Sequence, residues 1–143
     1  MLIAIASDHG GFELKEAIKE HLRTRGDKFV DLGTNNTDSV DYPLYGKACG
    51  EVVASGKADR GIVVCGTGIG ISIAANKVKG VRCGLCTSKE MATLTRQHND
   101  ANILALGGRT TEPELALEIV DIFLDTEFEG GRHKRRTDML DDM

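Results

Sequence analysis

The sequence predicts an α/β protein with a three-layer α/β/α, Rossmann-like fold, in which helices cover both faces of a five-stranded parallel sheet. Three observations carry this prediction. Short apolar and β-branched runs recur five times, stretches of helical periodicity separate them, and glycines mark many of the junctions. Strands that alternate with helices are typical of parallel βαβ units, whose sheets are buried on both faces.

The five predicted strands are short and mostly hydrophobic, as strands covered on both faces should be. They are Leu2–Ala6, Lys28–Leu32, Gly61–Val64, Val81–Cys86 and Asn102–Leu106.

Helices are predicted between and after these strands. In the first, Leu14, Ile18 and Leu22 recur at i, i+4 spacing, and Gly26 ends the helix. Proline at a first turn and serine or threonine at an N-cap mark other helix starts. The remaining helices are predicted at about Tyr42–Ser55, from the glycine run after the third strand towards Gly80, at Lys89–His98 after Thr87 or Ser88, at Pro113–Asp125, and in the polar tail Arg132–Met143.

Size and composition fit one domain over residues 1–143. A chain of this length buries roughly 68–70% of its unfolded surface, so its core needs no disulfides. Four cysteines without a secretory signal are therefore expected to be free thiols.

Charge and hydropathy limit the partners and the location. The net charge of -4 argues against general affinity for nucleic acid. No apolar run reaches the roughly 18 residues of a membrane span, and Met1–Ala6 lacks the basic start of a signal peptide. We expect a cytoplasmic protein that binds neither nucleic acid nor membrane.

The glycine run Gly66–Gly70, written GTGIG, opens the predicted third helix. It differs from the dinucleotide fingerprint, and it lacks the Gly-Lys-Ser/Thr ending of a nucleotide P-loop. Backbone N–H groups at a helix N-terminus form an anion site. A turn that serves only close helix–strand packing explains the pattern equally well.

Ligands of an open parallel sheet bind outside the carboxyl ends of the strands. His98 and Asn99 precede the fifth strand and would lie at the opposite edge, unless a second subunit or an unusual helix path brings them over. The segments expected at the carboxyl edge are Ser7–Gly11, Cys65–Gly70, Thr87–Ser88 and Gly107–Arg109.

Three of the four cysteines allow more than one interpretation. Cys65 either ends a buried strand as a small apolar residue or is a reactive thiol, because a helix N-terminus favours the thiolate. Cys83 and Cys86 form a C-x-x-C, which can be a redox pair. Inside a strand, however, side chains three apart point to opposite faces, which argues against that pairing.

Other polar residues are also ambiguous. Asp8 and His9 either bind a ligand or cap the following helix. Arg132 and Arg136 lie at i, i+4, so a helical tail would direct both at one phosphate. A solvated basic face and a nucleic-acid patch are the alternatives. No histidine–carboxylate cluster has metal-ligand spacing, so we expect no metal.

Five segments together resemble the ribose-5-phosphate isomerase B family, whose fold is shared by the subunits of galactose-6-phosphate isomerase. They are Asp8–Phe12, Asp41–Pro43, Cys65–Lys77, Arg96–Asp100 and Glu129–His133, in this order. The resemblance implies an aldose–ketose isomerase that interconverts ribose 5-phosphate and ribulose 5-phosphate through an enediolate, with no metal or other cofactor. Galactose 6-phosphate or allose 6-phosphate is the alternative substrate, and a non-catalytic sugar-phosphate sensor is the alternative from another class.

The resemblance also implies catalytic roles for three residues. Cys65 accepts the proton from the sugar C2, Thr67 relays a hydroxyl proton, and His98 opens the furanose ring. The family's site is completed across a dimer interface, which implies a homodimer, with a tetramer as the alternative.

The remaining residues of the matching positions are implied to bind the substrate. The tail 131–143 contributes phosphate ligands to this set. Grouped by the part of the substrate they contact, they are Gly66, Thr67, Gly68, Ile69 and Gly70 at the enediolate oxygens, Asp8 and Asn99 at the sugar hydroxyls, His9, Arg132 and Arg136 at the phosphate, and Arg109 as a further contact.

Overall fold

A computed structural model describes residues 1–143 and contains five strands and six α-helices. The strands are β1 (Leu2–Ser7), β2 (Lys28–Asp31), β3 (Arg60–Cys65), β4 (Cys83–Leu85) and β5 (Ile103–Gly107). The helices are α1 (Phe12–Arg25), α2 (Tyr42–Ala54), α3 (Ile69–Asn76), α4 (Lys89–Gln97), α5 (Pro113–Asp125) and α6 (Arg132–Asp141).

The strands form one parallel sheet in the order β2-β1-β3-β5-β4. Because β5 lies between β3 and β4, the chain passes over one position through α3 and returns through α4. Parallel crossovers are right-handed, so α2 and α3 cover one face while α1 and α4 cover the other, where α5 also packs. The predicted three-layer α/β fold is confirmed.

Alternate residues of each central strand pack into two separate hydrophobic cores, one on each face of the sheet. In β1, Ile3 and Ile5 pack in the core beneath α1 and α5, whereas Ala4 and Ala6 pack beneath α2 and α3. All four side chains are fully buried. Burying each larger aliphatic side chain stabilises the fold by about 1.5–3 kcal/mol relative to exposure.

The α2–α3 side of the sheet is closely packed because α2 presents glycines one turn apart. A Cβ added at Gly46 would lie 2.8 Å from the Ala74 Cβ and 2.9 Å from the Ile71 carbonyl oxygen. A Cβ at Gly50 would lie 2.8 Å from Val78 Cγ2. These contacts bring α3, and with it the glycine run at its start, close to α2.

The predicted element boundaries need small corrections. The predicted strand Val81–Cys86 shortens to β4, because the Arg82 N–H donates to the Asn102 side chain (2.8 Å) rather than to a strand partner. The fourth helix ends at Gln97, and its N-cap is Ser88, whose Oγ accepts the Met91 N–H at 3.2 Å. The predicted end of α1 is confirmed, since Gly26 has a left-handed φ of 82°.

The predicted helical tail is present as α6. None of the six helices combines the length and apolarity that crossing a membrane would require.

We expect Gly46→Ala to lower the free energy of unfolding by about 1–3 kcal/mol, because the new methyl group overpacks the α2–α3 contact. The sign is informative, since alanine ordinarily stabilises a helix by ~1 kcal/mol relative to glycine. Urea denaturation measures the change. Lys47→Ala, at the exposed neighbouring position, is the control and should stay within ~0.5 kcal/mol of wild type. A Gly46→Ala protein more stable than wild type would contradict the close packing.

Candidate active site

Three loops meet backbone to backbone at the carboxyl edge of the sheet. The Gly108 N–H donates to the Cys65 carbonyl (2.8 Å), and the Arg109 N–H donates to the Gly66 carbonyl (2.9 Å). A Cβ added at Gly108 would lie 2.7 Å from the Gly10 carbonyl oxygen. The loops after β1, β3 and β5 therefore form one surface, in which glycine is required by close approach.

The glycine run at the start of α3 presents several backbone donors to this surface. Gly68 is the N-cap, with a left-handed φ of 80°, and its N–H donates to Cys65 Sγ at 3.2 Å. The N–H groups of Gly66, Thr67 and Gly70 donate to no acceptor within the chain. A helix N-terminus with such N–H groups is suited to binding an anion.

Thr67 and Ile69 lie at the outer side of the same turn. Thr67 is exposed, and its Oγ1 accepts the Ile69 N–H at 3.2 Å. The hydroxyl therefore has its own hydrogen available for a ligand.

A cavity of about 250 Å³ opens beside this turn. His9 enters it with a fixed tautomer, because Nδ1 accepts the Val40 N–H at 3.1 Å and the ring proton is left on Nε2. The lining residues are His9, Gly10, Glu13, Leu14, Thr37, Gly108 and Arg109.

Asp8 is buried, and its Oδ1 accepts the Gly11 N–H at 3.1 Å, at the start of a 3₁₀ turn over His9–Gly11. Asp8 therefore caps this turn, and a contact of its carboxylate with a ligand stays a prediction. This bond also fixes the loop that carries His9.

A second cluster lies at the opposite, amino edge of the sheet. His98 follows α4, which runs antiparallel to the strands and therefore ends at that edge, as predicted. Its ring stacks on His133, with centroids 4.3 Å apart and planes 12° apart. Glu129 Oε1 lies 3.8 Å from His98 Nε2 and 3.5 Å from His133 Nε2. Desolvation, followed by the charges of His98 and Arg132, lowers the pKa of His133.

The ligand atoms of His98, Glu129 and His133 all lie within 4.8 Å of one another. Metal binding requires the lone pairs of both rings to converge on one ion. In a near-parallel stack the lone pairs run side by side instead. One ring would have to leave the stack before this cluster could hold a metal.

The predicted site residues therefore fall into two groups within one chain. Those at the carboxyl edge are Asp8, His9, Cys65, Gly66, Thr67, Gly68, Ile69, Gly70 and Arg109. Those at the amino edge are His98 and Asn99 and, on α6, Arg132 and Arg136. The chain does not bring His98 to Cys65. Arg132 and Arg136 are both exposed on α6, one turn apart.

Sequence reasoning assigned no role to several residues that shape these clusters. Glu129 and His133 lie four residues apart, and that spacing is a sequence signal for two side chains that lie close together. The contacts of Val40 with His9 and of Arg82 with the residues after α4 join distant parts of the chain and leave no local pattern.

Cys83 and Cys86 pack in different cores. Cys83 lies against the core beneath α2 and α3, and Cys86 belongs to the core beneath α1 and α5. Burial raises the pKa of Cys86 to about 12 and also raises the pKa of Cys83. Both observations agree with the expectation that the pair is not a redox site.

A family model described as Ribose/Galactose Isomerase matches residues 3–140. The chain belongs to the ribose/galactose isomerase family. Among members of this family, it is 48% identical over 138 residues to ribose-5-phosphate isomerase B of Escherichia coli strain K12, a match that covers 96% of this chain and 93% of that protein.

Solved structures of relatives share the fold. Ribose-5-phosphate isomerase B of Clostridium thermocellum matches with a TM-score of 0.98 at 54% identity, covering 99% of this chain and 96% of the other. The Mycoplasma genitalium ribose-5-phosphate isomerase B with bound ribulose-5-phosphate matches with a TM-score of 0.95 at 46% identity, covering 99% and 94%. The predicted membership of the ribose/galactose isomerase family is confirmed.

We expect folded protein treated with a thiol oxidant to form no Cys83–Cys86 disulfide, because the two side chains lie on opposite faces of the sheet. Mass spectrometry of alkylated, digested protein measures the pairing. Protein unfolded in urea and oxidised in the same way is the positive control, since there the two cysteines can meet. A Cys83–Cys86 disulfide that forms in the folded protein would show the packing of β4 to be wrong.

Proposed function

We propose that the chain interconverts ribose 5-phosphate and ribulose 5-phosphate by proton transfer through an enediolate. The observation that carries the proposal is Cys65 beside backbone N–H groups that have no acceptor within the chain. Membership of an isomerase family and the similarity to a relative with bound ribulose-5-phosphate support the substrate class.

The proposed chemistry begins at the open-chain aldose. The Cys65 thiolate takes the proton from C2, the electron pair of the broken C–H bond forms the C1–C2 double bond, and the carbonyl π pair moves onto the C1 oxygen. The N–H groups of Gly66, Thr67 and Gly70 donate to the oxygens of the resulting enediolate, with Gly68 and Ile69 shaping the turn. Loss of one such donor typically costs about 3–4 kcal/mol of transition-state stabilisation.

The same groups complete the reaction. The Cys65 thiol returns the proton to C1, while a proton moves from the C2 oxygen to the C1 oxygen with the Thr67 hydroxyl as relay. The product is the ketose, and the thiolate is regenerated. A positioned base of this kind contributes about 10²–10⁴ in rate.

The proposed phosphate ligands hold the substrate at its far end. His9 donates through Nε2, Arg109 lies at the rim of the same cavity, and Arg132 and Arg136 supply charge from α6. Binding energy from this remote group orients C1 and C2 against Cys65. Asp8 and Asn99 are assigned to the sugar hydroxyls, and His98 to opening of the furanose ring.

A homodimer would reconcile the two clusters. A two-fold axis can place the amino edge of one subunit over the carboxyl edge of its partner. Apolar side chains around the glycine run favour this, since Tyr42, Leu44, Ile69 and Ile73 are 41–66% exposed. We propose that each site combines Cys65 of one subunit with His98 of the partner subunit, and a tetramer remains the alternative.

Two further assignments belong to the proposal. Residues 1–143 are treated as one isomerase domain, in which the tail 131–143 supplies phosphate ligands. The proposed location is the cytoplasm. No nucleic acid, membrane or cofactor is needed for the proposed reaction.

A second candidate function uses a six-carbon substrate, because the family description names galactose as well as ribose. We expect kcat/KM to be highest for ribose 5-phosphate, lower for allose 6-phosphate and galactose 6-phosphate, and unchanged by EDTA. Coupled assays on the three sugars measure this. A higher kcat/KM on galactose 6-phosphate would transfer the assignment to that substrate, and binding without turnover of any of them would favour the sensor.

We expect Cys65→Ala to lower kcat by at least ~10²-fold, because the variant lacks the base. The circular dichroism spectrum should stay that of wild type, because the substitution leaves the backbone of the turn in place. Cys83→Ala is the matched control, since it removes a thiol elsewhere, and it should keep near wild-type kcat. Turnover by a folded Cys65→Ala protein would remove the base from the proposal.

Mixing two inactive variants tests the shared site. When Cys65→Ala and His98→Asn subunits are dissociated and reassociated together, each heterodimer regains one intact site, and about a quarter of wild-type activity should return. Cys65→Ala mixed with Arg109→Ala is the control, because both residues lie on the same edge and no site is restored. Failure of the first pair to complement, with heterodimers present by native mass spectrometry, would refute a site shared between subunits.

A further inference from the structure

The helix α6 carries two of the proposed phosphate ligands, yet few contacts hold it to the rest of the chain. Only His133 and Thr137 are buried among its residues. His133 stacks on His98, and just before the helix the Glu129 N–H donates to the Gln97 carbonyl at 3.1 Å. These contacts fix the N-terminal half of α6.

An ion pair ties the last turn of α6 to the rest of the chain. Asp141 Oδ1 accepts from Arg82 Nη1 at 2.7 Å. His133 and Asp141 are about 12 Å apart along the helix axis at 1.5 Å per residue, and Arg136 lies between them. A helix held at both ends has little freedom to tilt, whereas one anchored only through His133 and Thr137, which lie one turn apart, has more.

Arg82 is itself anchored to the sheet. Its N–H donates to Asn102 Oδ1 (2.8 Å), and its carbonyl accepts the Asn102 N–H (2.9 Å), where β5 is about to begin. The guanidinium is largely buried, with 17% of the side chain exposed. The guanidinium therefore has a fixed position relative to the sheet, and α6 binds to it through Asp141.

The same guanidinium holds the turn that follows His98. Nε donates to the carbonyl oxygens of Asn99 (3.2 Å) and Asp100 (3.1 Å), and Nη2 lies 3.5 Å from Asp100 Oδ2. Asp100 has a left-handed φ of 47°, which is uncommon for a residue other than glycine. The planar fork of arginine makes contacts to two elements at once that a lysine could not.

We propose that the Arg82–Asp141 ion pair positions α6 against the His98–Asp100 turn, so that Arg132 and Arg136 meet the phosphate of the sugar whose ring His98 opens. This inference rests on the proposed function. Arg82 and Asp141 are positioning residues, since they act through α6 and through the turn.

Asp141→Asn tests the proposal, with Asp138→Asn as the matched control. Asp138 lies on the same helix and pairs with Lys134 at 2.9 Å, but that pair stays within α6. Because exposed ion pairs are weak, we expect Asp141→Asn to raise the KM for ribose 5-phosphate about three- to fivefold. We expect kcat to stay within about twofold of wild type, and the inhibition constant of inorganic phosphate to rise by the same factor as KM.

The sign of the change separates positioning from simple electrostatics. Both variants remove one negative charge near a dianion binding site, which by itself would lower KM. A rise in KM for Asp141→Asn alone supports the proposal. Equal KM values in the two variants, or a fall in kcat without a change in KM, would overturn it.

Amide hydrogen exchange provides a readout that needs no turnover. We expect the amides of residues 132–141 to exchange faster in Asp141→Asn than in Asp138→Asn and wild type, because one end of α6 is released. Unchanged exchange in Asp141→Asn overturns the positioning role. Absence of turnover in the wild type would instead contradict the proposed function, and the exchange result would still stand.

Discussion

Backbone contact between the loops after β1, β3 and β5 is the constraint on which the rest of the site depends. These strands are neighbours in the sheet, so their carboxyl ends lie side by side. Gly108 lets its loop bond to the Cys65 carbonyl, and a side chain there would meet the Gly10 carbonyl oxygen at 2.7 Å. The position of the Cys65 sulfur relative to the N–H groups of the glycine run is therefore set by the main chain, which is the stiffest support available.

The topology of the sheet also divides the predicted site residues between its two edges. Every helix that follows a strand starts at the carboxyl edge and returns to the amino edge, so the end of α4 cannot reach Cys65 within one chain. His98, His133 and α6 are collected at the amino edge by contacts among themselves and with Arg82. One chain therefore holds the predicted site residues in two separate clusters, and the cluster at the amino edge keeps its form through the His98–His133 stack and the Arg82–Asp141 ion pair.

The parts of this architecture that the sequence predicts are those set by local physics. The alternation of strands and helices, the left-handed Gly26 at the end of α1 and the opposite faces of Cys83 and Cys86 follow from periodicity and backbone conformation. The strand order, the short β4 and the Arg82–Asp141 pair do not, because each depends on contacts between distant segments. The direction of the chain predicts the edge of the sheet at which His98 lies. It does not predict the stack of His98 on His133, because that contact depends on the path of α6.

The four cysteines show how position in the fold, rather than residue type, determines the surroundings of a thiol. Burial raises the pKa of both Cys49 and Cys86 to about 12, and at Cys49 a hydrogen bond from the Ile62 backbone only partly opposes this rise. Cys65, with 5% of its surface exposed, ends β3 just before the N-terminus of α3, and its Sγ accepts the Gly68 N–H. Val63, two residues back along β3, belongs to the same α2–α3 core as Cys65, but only Cys65 is followed directly by the glycine run. The contact between the Cys65 sulfur and the glycine run therefore depends on β3 ending at this residue.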